Sequence, residues 1–279
     1  MNPIATFMGW IMNGIYEFLY LIGLRDVGWN IVLSTVLFTI IIYMLLLPLT
    51  IKQQKFSRLS AVMNPEIQAI QNNYKGKSDQ ASMLKMQEEI KAVYKKYGSS
   101  PSSGCLSSLI QLPFLFALWP VVRNISDHVN KIDGQKIYTV LGVVVSGSDS
   151  TPAATPFSLF KSEEPSLILI AILIPLLTGF TQWLSAKVSQ KLTNPHKNQK
   201  DEATVPKQMN ILMNIMPLIS VFMCFSMEIV LGIYWIVSAV VRIIQQIIIS
   251  KALDRKPIEV LIQENVEKAN RKQNKNLRK

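Results

Sequence analysis

Runs of about 20 apolar residues narrow what this chain can fold into more than any other feature. Such segments occupy residues 31–49, 105–122, 167–184, about 210–227 and about 229–250. A helix rises 1.5 Å per residue, so about 20 residues cross the ~30 Å of hydrocarbon in a bilayer. Inside lipid every amide must bond within its own segment, which makes these segments helices rather than open strands. In 31–49 the only polar side chains are Ser34, Thr35, Thr39 and Tyr43, and Glu228 marks a tight turn between the last two segments. The predicted fold class is an all-α polytopic membrane protein with five transmembrane helices, at 28–50, 103–123, 165–185, 209–227 and 229–250.

Composition matters here through the position of charge. The formal net charge is +11, from 29 Lys and Arg against 18 Asp and Glu. Nine basic residues fall in 51–100, five in 186–208 and nine in 251–279. The loops between hold Arg25, Arg123, Lys131, Lys136 and Lys161, and Arg242 lies within the fifth span. Basic loops stay cytoplasmic, so the start of the first span is expected outside and the C-terminus in the cytoplasm. Residues 1–24 are apolar from the start, with no basic n-region or small-residue cleavage pattern. No cleavable signal peptide is therefore expected, and a bacterial cytoplasmic membrane is the simplest destination.

Between the spans the chain is differentiated. Within residues 1–27 the run 4–22 is apolar enough to span, but it holds Asn13 and Glu17. A Glu in mid-span costs roughly 2–3 kcal/mol, so this stretch is read as an amphipathic helix lying in the outer interface with Glu17 toward water. Residues 51–102 are read as a cytoplasmic antiparallel helical hairpin. Its first helix opens at Pro65 with Asn64 as cap. A turn follows from Gly76 to Asp79, and a second seam runs through Met83, Met86, Ile90, Val93 and Tyr97 to a stop at Gly98. Residues 124–164 form the extracytoplasmic loop, where the apolar run 137–145 is too short to cross as a helix. Residues 186–208 are a cytoplasmic loop. The basic tail 251–279 suits anionic lipid, at about 1 kcal/mol per basic residue near the surface, or ribosomal RNA through its phosphates.

No catalytic constellation is visible: the chain carries no GxSxG, HExxH or phosphate-binding loop. Ser107 and Ser108 lie in the second span with no His in another, which fits hydroxyls bonded back to their own helix. Cys105 and Cys224 are far apart in apolar segments, and His128 and His196 stand alone in polar loops. With no cluster at ligand spacing, neither a metal site nor a cofactor is expected, and the chain is not read as an enzyme.

Three stretches stand out in order: LLLPLTIKQ at 45–53, GCLSSLIQLPFLFALW at 104–119, and LGIYWIVSAVVRIIQQ at 231–246 downstream of Met216-Pro217. With a charged hairpin between the first two, they resemble the YidC-type membrane protein insertases, in the short form without a large extracytoplasmic domain. The resemblance runs from about residue 28 to 250. It implies five helices around a hydrophilic groove that opens to the cytoplasm and to lipid. Such a protein inserts hydrophobic helices with short translocated flanks and helps them fold as a chaperone. The implied partners are nascent membrane proteins, the ribosome through the basic tail, membrane lipids, the Sec translocon and the signal recognition particle pathway. A channel or transporter, or a scaffold of the same topology, are the alternatives that the residues leave open.

The chain departs from the family pattern where an Arg usually stands five residues before the Pro of LLPL, a position held here by Tyr43. Glu228, Ile229 and Val230 replace the usual Pro-Ala-Gly or Pro-Ser-Gly run, and Ala239 replaces an Asn. Arg242 is the expected substitute for the missing groove Arg. Counted from the cytoplasmic ends of their spans, Tyr43 and Arg242 both lie roughly 10–12 Å deep. The candidate groove residues are thus Arg242, Tyr43, Gln111, Gln182, Thr39 and Thr178. Trp119, Tyr234 and Trp235 are the candidates for packing against a substrate helix.

Overall fold

A computed structural model describes residues 3–77, 79–100, 121, 125–132, 136–146, 153–193 and 207–277. Its elements are α1 (Pro3–Leu21), α2 (Val27–Leu45), α3 (Leu47–Asn73), α4 (Gln80–Lys96), β1 (Tyr138–Val140), β2 (Val143–Ser146), α5 (Pro165–Thr193), α6 (Lys207–Ser226), α7 (Ile229–Asp254) and α8 (Ile258–Leu277). Among the described residues, α2, α5 and α7 are long and apolar enough to cross a membrane. Helix α6 occupies the position of the fourth predicted span. The second, 103–123, lies outside the described residues apart from Val121.

Two units divide the chain. The first comprises Met1–Leu46, Gln111–Lys187 and Ile211–Ile244. Its main core joins Met8, Met12, Tyr16 and Leu19 of α1 to Ile31, Phe38 and Ile42 of α2 and to Leu231, Tyr234 and Trp235 of α7. The opposite side of α1 leaves Phe7, Trp10, Phe18 and Leu21 exposed, an apolar stripe suited to lipid. Glu17 is partly exposed and pairs with Lys131 at 2.7 Å, while Asn13 Oδ1 accepts from the amide of Asn130. The polar side of α1 therefore faces a loop of the same unit as well as water.

The class is not purely helical: β1 and β2 form an antiparallel hairpin inside the long loop. Its turn sets Leu141 at φ 51° and Gly142 at φ 80°, the left-handed pair that matches strand twist in a two-residue hairpin. The hairpin lies close to α2, where a Cβ on Gly28 would come within 2.4 Å of the Thr139 carbonyl oxygen. The first span is also interrupted: α2 ends at Leu45 and α3 begins at Leu47. Pro48 is the cause, since its ring clashes with the carbonyl four residues back and it offers no amide proton, which only a first turn tolerates.

The second unit comprises Leu47–Ile110, Val188–Asn210 and Gln245–Lys279. Pro65 does not open a helix, contrary to the expectation from its fixed φ, but lies inside α3. The helix carries through because Leu59, Met63 and Ile67 on either side of it pack on Val93 and Tyr97. In water each such burial is worth roughly 1.5–3 kcal/mol, enough to offset one lost backbone bond. Asp79 caps α4 by accepting from the Ser82 amide at 2.9 Å, whereas Met83 at the start of the predicted seam is exposed. Near the base, Arg58 donates to the Ser250 hydroxyl and to Asp254, both at 2.7 Å, and Gln54 donates to the Gln246 carbonyl. The tail is structured as well. Helix α8 packs Leu261 on Ile249 and Leu253, and Asn265 donates to the carbonyls of Tyr97 and Gly98.

Candidate intramembrane polar site

Helix α2 carries a polar stripe at i, i+4 spacing. Asn30, Ser34, Thr35 and Thr39 are all fully buried. Asn30 donates to the carbonyls of Tyr16 and Leu24 at 3.3 and 3.1 Å, tying α2 to α1 and to the turn between them. Ser34 donates to the Asn30 side chain at 3.0 Å. Thr35 and Thr39 donate to the carbonyls of Ile31 and Thr35, at 2.9 and 2.7 Å. Such back-bonding silences a hydroxyl in an apolar setting. Thr39 thus spends its proton within its own helix.

Thr178 is likewise fully buried, with the Gly232 carbonyl at 3.5 Å and the Cys224 sulfur at 3.8 Å. A Cβ on Gly232 would meet Ile174 at 2.6 Å and Cys224 at 3.1 Å. Helices α5, α6 and α7 therefore meet at a small residue, the usual device for close packing in lipid.

One turn further along α5 stands Gln182. Its Oε1 accepts from Arg242 of α7 at 2.6 Å, a charge-assisted length. Arg242 Nε is buried and has no hydrogen-bond partner among the described residues. The Tyr43 and Tyr234 side chains are hydrogen-bonding neighbours, and Arg242 acts electrostatically on Tyr234. Four of the sequence candidates, from three helices, are thereby linked: Tyr43 from α2, Gln182 from α5, and Tyr234 and Arg242 from α7. Trp235 is buried in the main core. Gln111 and Trp119 lie outside the described residues. Asn30 is a site residue absent from the sequence candidates, although its four-residue spacing from Ser34 is a usable signal.

Away from this cluster, large apolar side chains of α5 point outward: Leu169, Ile172, Leu173, Leu176 and Phe180 are exposed. A surface of that kind faces lipid or a partner, not water. Long helices with apolar outer faces and a guanidinium–amide pair between two of them define an α-helical membrane protein with an internal polar site. The family model described as 60Kd inner membrane protein matches residues 23–256, and the chain belongs to that family. Among similar proteins, the membrane protein insertase YidC of Fusobacterium nucleatum is 28% identical over 247 residues, which is 88% of this chain and 98% of that protein. Its counterpart in Alkalihalophilus pseudofirmus is 31% identical over 215 residues, 76% of this chain and 70% of the relative. Membrane protein insertase YidC 1 of Halalkalibacterium halodurans is 28% identical over 216 residues, 76% and 67% of the two chains.

Proposed function

We infer that this chain is a membrane protein insertase, one that moves hydrophobic helices with short polar flanks into the bilayer through a polar groove among five spans. The observation that carries the groove reading is Arg242 held by Gln182 at 2.6 Å, with Tyr43 and Tyr234 beside it. A bare guanidinium at that depth is costly unless it meets water or a partner. A single amide leaves most of its five donors to be satisfied, and a substrate's polar flank or the water around it can supply the acceptors. The flank itself cannot cross hydrocarbon cheaply. A wet cavity part-way across shortens the dry distance, so short tails need no ATP chemistry. Arg242 takes the part of the Arg that the family pattern places at position 43.

The five spans run from α2 to α7, with the start of the first outside and the C-terminus cytoplasmic, a reading supported by the basic loops. The substrates are nascent membrane proteins. The hairpin guides them or recruits partners, and the basic tail meets the ribosome or anionic lipid. The Sec translocon and the signal recognition particle pathway are the further partners of this reading. Its test is insertion of a short single-span protein into liposomes holding only this purified chain. The parent is expected to protect the translocated tail from protease, and Arg242→Ala to lose about tenfold of that activity, the equivalent of ~1.4 kcal/mol. Equal activity of the variant would remove Arg242 from the groove. No activity of the parent above empty liposomes would overturn unassisted insertion.

A further inference from the structure

The described parts of the long loop of the first unit, 136–146 and 153–164, form a cap on the ends of α2, α5, α6 and α7. The Ala154 amide bonds the Val144 carbonyl at 2.8 Å, and the Ile229 amide bonds the Ala154 carbonyl at 2.9 Å. Val143, Ala154 and Leu159 form a core with Ala171 of α5 and Ile229 of α7. Thr155 and Ser158 close a capping box on the one-turn helix Pro156–Leu159. The cap is thus well packed inside. Its outside, however, is apolar: Leu141 is 72% exposed, Phe157 65% and Phe160 42%.

Leu141 bears on this most directly. It holds a positive φ, where a branched bulky side chain is disfavoured and Asn, Asp or Gly is the usual occupant. A Leu there is both strained and exposed, which a water-facing turn would not favour. The patch also continues the outer surface of the helices. Gly142 abuts Leu167 in the first turn of α5, and the Phe160 ring stacks on Phe225 near the end of α6 at 6.0 Å. Leu169 of α5 and Phe222 of α6, the next outward residues, are exposed. Charged residues bound it: Lys136 precedes the exposed Ile137, and Lys161, Glu163 and Glu164 follow Phe160. Apolar tips beside charged neighbours are the pattern of a segment seated at a bilayer interface.

We propose that the cap is a lipid anchor, with Leu141, Phe157 and Phe160 immersed in the outer leaflet where it meets α5 and α6. The occupant is the acyl and glycerol region of lipid, because the patch is continuous with helix faces that lipid must cover. The proposal rests on α5 crossing the membrane and is independent of insertase activity.

Nitroxide labels at Leu141→Cys and Phe157→Cys, in a Cys105→Ser, Cys224→Ala background, test it in phosphatidylcholine–phosphatidylglycerol liposomes. Labels at Leu169→Cys and Glu163→Cys serve as lipid and water references. Labels at 141 and 157 are expected to collide with oxygen several-fold more than with a water-soluble nickel chelate, as the label at 169 does. Behaviour like the label at 163 would overturn the anchor, and so would low collision with both reagents, which signals a protein partner or a second copy. A label at 169 that reports water would instead sink the membrane-crossing reading itself. On the unsubstituted protein, a lipid with a photoreactive acyl chain is expected to label 137–160 as well as α5; adducts confined to α5 would also refute the anchor.

Discussion

At the scale of single residues, the site is defined by how each polar group in an apolar setting finds its partner. Thr35, Thr39 and Ser238 do so within their own helices, which costs little and fixes little. Arg242 does so across helices, through Gln182, and that pairing can be measured. Replacing Gln182 by Leu strands a partly buried guanidinium donor, at a cost of about 1–3 kcal/mol. Gln182→Leu is therefore expected to melt several degrees lower in detergent. Arg242→Met alone strands only an amide, and the double variant is expected to recover part of the loss. Thermal unfolding of all four proteins closes the cycle; additive losses would mean that the two side chains do not interact. The sequence could nominate Arg242, because a charge inside an apolar run is conspicuous. It could not name Gln182 as its partner, since the two positions are 60 residues apart and only packing brings them together.

At the scale of elements, the hairpin of α3 and α4 carries its own pH signature. Tyr97 donates to Glu66 Oε1 at 2.5 Å and Lys96 reaches the same carboxylate at 2.9 Å. The phenol first, and then the ammonium, hold the Glu66 carboxyl below the ordinary carboxylate range. Bonding to that carboxylate pushes the Tyr97 phenol up to about 12. A depressed carboxyl stabilises the fold above its unfolded value near 4.5 and loses that contribution as pH falls through the lower folded value. A raised phenol stabilises below 10 and loses its contribution as pH climbs toward 12. The protection of α3 and α4 against hydrogen exchange, taken relative to the intrinsic amide rate at each pH, is thus expected to be greatest near neutral pH and to fall at both extremes. In Tyr97→Phe the alkaline limb attributable to this residue should vanish; if it persists unchanged, the phenol is not its source. Periodicity made Val93 and Tyr97 readable as seam residues, yet it misplaced the start of the first helix at Pro65, because packing on both sides of the proline outweighs one missing bond. In the tail, charge is the only feature conspicuous in the sequence. Its apolar residues Ile258, Leu261 and Ile262 are too few to announce a docked helix without the surface they meet.

At the scale of the whole molecule, the distribution of Lys and Arg makes the strongest prediction. A cysteine placed at Glu163 should react with a membrane-impermeant maleimide in intact cells, and one placed at Arg271 only after lysis. Both positions are exposed, so accessibility within the fold does not confound the outcome. Reaction of both from outside would invert or abolish the assigned topology. On the proposed topology the loop 124–164, poor in basic residues, is the outer one.

By itself the sequence determined the membrane class, the long apolar helices α2, α5 and α7 and the motifs that mark the family, because these depend on composition and order over 10–20 consecutive residues. Only the tertiary structure decided that Arg242 bonds Gln182, that Asn30 joins α2 to α1, that α8 docks through Asn265, and that a β-hairpin caps the first unit. Each of those contacts joins segments that meet only when helices pack, and nothing in local propensity specifies which buried group will satisfy which.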